Sequence, residues 1–206
     1  MKHFIMIFLM TGCSLTAQKQ EAPEYKISSE IYQTYKIPYE KEPRSVEMAV
    51  PSAPVRNFVD AWKADHGEDF RTPASYSIPV VSPMEMDRLL TKMKKEEIED
   101  IAKSLYLQNS RFNVKCVGQK EMADHEDIFL VLESEDLARI RLEILEVYRL
   151  RGGDRKDFLA TDYTPLIPLN ETESSREGLT IKGRGDCREI VRAAPPFDGP
   201  APAVNL

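Results

Sequence analysis

The chain has 206 residues, 42% of them hydrophobic, and a formal charge of −6. That apolar share suffices for one domain with a sizeable core. The acidic balance argues against a protein that grips long nucleic acid through its phosphates, though it leaves room for a small phosphorylated ligand.

In chain order, Met1-Lys2-His3 is a short basic region and residues 4–10 are an unbroken apolar run. The run falls far short of the about 20 residues a spanning helix needs. Small residues follow, so residues 1–17 read as an export signal. Two cleavage sites compete. Thr11-Gly12-Cys13 resembles a bacterial lipobox, with Met10 where leucine is usual, and would leave an acylated Cys13. The rival is cleavage after Ala17. The expectation is an exported protein, either a lipoprotein of the cell envelope or periplasm or a secreted one, meeting a membrane only through a lipid anchor.

Residues 18–53 are rich in Lys, Glu, Ser, Tyr and Pro without a sustained period, which predicts a flexible tether. The folded domain is expected over 54–192. Val55, Phe58, Val59 and Trp62 share one face of a helix over 55–66, with Gly67 beyond its end. Residues 78–81 read as a short strand interrupted by Pro79. Ser82-Pro83-Met84-Glu85 carries an N-cap, a first-turn proline and a capping-box glutamate, opening a helix to about residue 93. Another helix is expected over 96–105. Residues 112–116 alternate as a half-buried strand and 128–132 as a fully apolar one, joined in a long hairpin. Ser134 caps an amphipathic helix carrying Leu137, Ile140, Ile144, Leu145 and Tyr148, and Gly152-Gly153 ends it. Residues 164–169 and 179–181 complete the strands. The four prolines at 195, 196, 200 and 202 mark residues 193–206 as an extended tail.

Cys116 and Cys187 remain in the mature domain. In an oxidising compartment they pair as a disulfide, or they are two separate buried thiols; the sequence carries no distance to decide. His66, at a helix end, and His125, in a polar segment, read as solvated surface residues. No His and Cys spacing fits a zinc site, and no cofactor is implied. Arg184-Gly185-Asp186 reads as a polar turn, Asn170-Glu171-Thr172 as a sequon meaningful only in a eukaryote, and Arg151-Gly152-Gly153-Asp154 as a helix stop rather than an anion nest.

Two proline-broken strands echo each other, Ser77-Ile78-Pro79 and Leu166-Ile167-Pro168. They come with Ala61-Trp62-Lys63-Ala64-Asp65-His66-Gly67, Val80-Val81-Ser82-Pro83, the segments 112–118 and 128–133, and Arg151-Gly152-Gly153-Asp154 leading to Tyr163-Thr164-Pro165. In this order and spacing the chain resembles the bacterial Swiss Army knife group of 2H phosphoesterases, relatives of the RNA 2′-5′ ligase and cyclic phosphodiesterase proteins. The resemblance implies an α+β, bilobal fold: two antiparallel sheets with flanking helices around a central cleft. It also implies two His-x-Thr motifs, whose imidazoles exchange protons with the reacting oxygens while the threonines hold phosphate. Here the motif positions hold Ser77 and Pro79, and Leu166 and Pro168. Each lost acid–base partner costs about 10²–10⁴-fold in rate. The expectation is therefore a pseudoenzyme that binds a small phosphorylated ligand or a protein at the old cleft. The alternatives are an active phosphodiesterase on cyclic or 2′-5′ phosphates and a structural or adhesion envelope module.

Overall fold

A computed structural model describes residues 25–121, 125–171 and 187–193. The signal segment with Cys13, the 179–181 strand, the Arg184-Gly185-Asp186 turn and the tail after Ala193 lie outside the described residues.

The fold is α+β. A five-stranded sheet runs in the order β1 (Tyr25–Ile27), β7 (Cys187–Ala193), β4 (Asn113–Glu121), β5 (Glu126–Glu133), β6 (Leu166–Pro168), and β2 (Val46–Val50) pairs with β3 (Tyr76–Val81) in a second, two-stranded sheet. Among the described residues the α-helices are α1 (Ser52–His66), α2 (Pro83–Leu89), α3 (Lys95–Ser104) and α4 (Glu135–Leu150).

Two expectations are corrected. Residues 25–50 are not a flexible tether, so the folded unit takes in residues from Tyr25 onward and not only those from residue 54. Val46, Met48 and Val50 are buried on one face of β2, and Tyr25, Ile27 and Ile31 join the same core. Burial of that apolar surface offsets the ordering entropy that leaves a true linker free. The larger sheet is mixed rather than antiparallel, because β1 runs parallel to β7 with Tyr25 opposite Val191.

Local chemistry sets the helices. α1 buries Val55, Phe58, Val59 and Trp62, and stops at Gly67, whose φ of 64° is a left-handed conformation that costs glycine nothing. α2 opens on a complete capping box between Ser82 and Glu85. In α4 the Ser134 hydroxyl accepts from the Leu137 N–H, and Leu137, Ile140, Ile144, Leu145 and Tyr148 face the core. β4 and β5 form the long hairpin, with Val114, Val117, Ile128, Leu130 and Leu132 in the main core. The other face of this sheet carries a smaller apolar cluster of Cys116, Phe129, Val131 and Leu166. Gly118 lies opposite Phe129 in this hairpin, and a Cβ there would enter its ring.

The α4 face that buries leucines and isoleucines also buries Arg141, which is 2% exposed. Its guanidinium donates to the Val80 carbonyl at 2.6 Å, the Leu159 carbonyl at 3.1 Å and both oxygens of Glu85 at 3.0 and 2.7 Å. The rings of Phe158 and Tyr163 lie 4.3 and 4.4 Å from it. One cation thus joins α4 to the end of β3, the start of α2 and the 158–163 loop.

Candidate functional site

β3 and β6 are neighbours although they belong to different sheets. Prolines at 79 and 168 have no N–H to donate across that seam. The Tyr163 hydroxyl bridges it instead, donating to the Pro79 carbonyl at 2.9 Å. Ile78 and Ile167 point into the main core. Strand alternation then turns Ser77 and Pro79 of β3, and Leu166 and Pro168 of β6, each to the side of its strand away from that core.

The two strands differ there. Leu166 is only 6% exposed, packed on Cys116, Phe129 and Val131. Ser77 is half-buried, and its neighbour is a residue from the segment read as tether. Glu47 accepts a hydrogen bond from the Ser77 hydroxyl at 2.5 Å on one oxygen, and from the Ser45 hydroxyl at 2.8 Å on the other. Burial, with the charges of Glu47 and Glu40, pushes the nearby Glu42 carboxyl up. Glu47 and Glu42 would meet a phosphate with like charge. Glu47 sits opposite Pro79 in the β2–β3 ladder, so its reach to Ser77 is diagonal. The alternation Val46-Glu47-Met48-Ala49-Val50 is the signal that could have found it.

A second concavity, a cavity of about 370 Å³, opens beyond the end of α1 among Glu68, Phe70, Arg71, His125, Glu126 and Glu171. Asn170 shapes it by accepting from the Ile128 N–H at 2.9 Å and donating to the Glu126 carbonyl at 2.6 Å. Arg71 is paired with Glu171 at 2.7 Å. Burial, then repulsion from Glu68 and Glu121, raises the Glu126 carboxyl. His125 is half-buried, with Nε2 3.6 Å from the buried carboxylate of Asp127. Among the described residues no group of three His, Cys, Asp or Glu side chains could hold a metal ion, and no helix is long and apolar enough to cross a membrane.

Cys116 and Cys187 are joined in a disulfide, with Cα atoms 5.7 Å apart, tying β4 to β7. His66 is exposed at the end of α1, as expected, but its ring stacks on Trp62 and contacts Glu189 of β7. Neither that partner nor the charged seat of Arg141 is signalled by local sequence.

No family model matches the chain, and no solved structure does. It is similar to the cysteine–tRNA ligase of Shewanella putrefaciens, 29% identical over 126 residues that make 58% of this chain and 24% of that protein. The cysteine–tRNA ligase of Shewanella oneidensis is 30% identical over the same length and shares. The chain spans about a quarter of the length of these curated relatives.

Proposed function

We propose that this is an exported, non-catalytic domain of the 2H phosphoesterase type, with a bilobal cleft at the β3–β6 seam, which acts by binding a partner there. The observation that carries the reading is the chemistry of the four motif positions. Ser77, Pro79, Leu166 and Pro168 offer no nitrogen to shuttle a proton. Their single hydroxyl is engaged by Glu47, and an alcohol is too weak an acid to cycle at neutral pH. A disulfide in the sheet agrees with an oxidising compartment and so with export, whether as an acylated Cys13 lipoprotein or a secreted form.

Glu47 and Glu42 narrow the partner. A phosphorylated ligand would bring like charge against them, so the open half of the cleft suits a protein surface or an uncharged or cationic group. The similarity to cysteine–tRNA ligases covers too little of those proteins to carry their activity here.

The test is direct. Purified protein should not hydrolyse 2′,3′-cyclic nucleotides or 2′-5′ linked dinucleotides. Turnover that survives Ser77→Ala would overturn the pseudoenzyme reading. A second reading, a structural envelope module, is favoured by the burial of Leu166. It predicts that Ser77→Trp, which blocks the open half, leaves function in the host unchanged, whereas the binding reading predicts loss.

A further inference from the structure

The last turn of α1 holds an arrangement that the binding reading does not use. His66 Nδ1 lies 2.9 Å from the Trp62 carbonyl oxygen, and Nε2 lies 2.8 Å from Oε1 of Glu189. The ring stacks on Trp62 with centroids 4.2 Å apart. The indole N–H of Trp62 donates to the other oxygen of Glu189 at 2.7 Å. Neither a backbone carbonyl nor an ionised carboxylate can donate, and a neutral imidazole has only one N–H. Both ring contacts are satisfied together only when the His66–Glu189 pair carries one proton more than neutral imidazole plus carboxylate.

We propose that His66 is a proton-dependent latch between α1 and β7, closed while both ring nitrogens carry hydrogen and loosened when the ring gives one of these protons to solvent. Glu189, which faces it from β7, and Glu68, just past the helix, both favour the closed form, and Asp65 stands beside it in α1. From β1, Tyr25 presents a ring 6.0 Å away. Burial first, then the charges of Glu189 and Asp65, pushes its hydroxyl up to about 12, so it stays neutral. The nearest cation on the helix, Lys63, is turned away to the Phe70 carbonyl and Asp69. Burial opposes the imidazolium, yet the Trp62 carbonyl and Glu189 outweigh it and the ring is raised above its ordinary value.

The sign follows from that direction. Stabilisation by the latch is fully present below the ordinary imidazole value, about 6.5, and is lost as pH rises through the folded value. Whichever nitrogen loses its hydrogen, the imidazolium–carboxylate attraction between His66 and Glu189 is gone. The loss falls on β7, which sits between β1 and β4, so the β1–β7 margin opens before the β4–β5 hairpin does.

The experiment is an NMR titration of the folded chain, following the His66 ring together with hydrogen exchange of β1, β7 and β5 amides, corrected for intrinsic rates. His66 should titrate above the ordinary imidazole value. Protection in β1 and β7 should fall relative to β5 as the ring deprotonates. In His66→Gln, which keeps the size and one donor, that ratio should not change with pH. Titration at or below the ordinary value, or a wild-type ratio indifferent to it, would overturn the latch. Should His66→Gln fail to fold, Glu189→Gln must lower the His66 titration; an unmoved ring would overturn the proposal equally.

Discussion

Replacing Arg141 with methionine keeps most of the side-chain volume but removes the cation that four oxygens and two rings surround. The gross loss is four donated hydrogen bonds and two ring contacts, and such contributions do not add. A better guide is the measured cost of removing one partner of a buried ion pair, about 3–5 kcal/mol. Ser82 still donates to Glu85 through its N–H and hydroxyl, which places the expectation in the lower half of that range. Against a total stability of about 5–15 kcal/mol, this is a large fraction. Burial alone would raise the Glu85 carboxyl, but Arg141 and Ser82 reverse that and hold it below its ordinary value. Its contribution is therefore present above the unfolded pKa and is lost as pH falls through the folded one. Without Arg141 the burial effect is opposed only by Ser82, so Glu85 is driven upward and protonation relieves it. Urea melts followed by Trp62 fluorescence should show the wild-type advantage shrinking from neutrality to about pH 4, near the ordinary carboxylate value. A loss below about 1 kcal/mol, or an advantage that grows in acid, would refute this account of Arg141.

The disulfide closes a loop with a sequence separation of 71, so Cys116→Ser with Cys187→Ser should cost about 4 kcal/mol by loop entropy; an unchanged melting temperature would refute that. Gly118→Ala should lose about 1–3 kcal/mol, because the new Cβ meets the buried Phe129 ring, and a denaturant midpoint equal to wild type would count against it. A chain begun at Pro54 lacks β1 and β2 and should show no cooperative melt by circular dichroism. A sharp transition in that fragment would restore the tether reading.

What the sequence discloses depends on how local its cause is. The capping box at Ser82, the Gly67 stop and the leucine and isoleucine stripe of α4 act within a few residues, and they are legible. β1 is three residues long, and its ladder partner among the described residues is β7, far along the chain. Nothing near Tyr25 announces it. β2 does alternate, but the charged stretch before it and Pro51 after it read as linker. Arg141 stands between Ile140 and Leu142 and reads as a surface cation, since its partners come from residues 80, 85 and 159. Glu189 is hidden for the same reason, and for Glu47 the alternation of β2 gives away the strand but not the hydroxyl its carboxylate will meet.

The place of β7 has a consequence for synthesis. Among the described residues β1 pairs with β7 alone, and β7 also covers one edge of β4. A ribosome makes residues 187–193 after all the other described strands. Until they emerge, β1 has no ladder to join and β4 keeps a bare edge. The five-stranded sheet therefore cannot be completed until residues 187–193 have emerged.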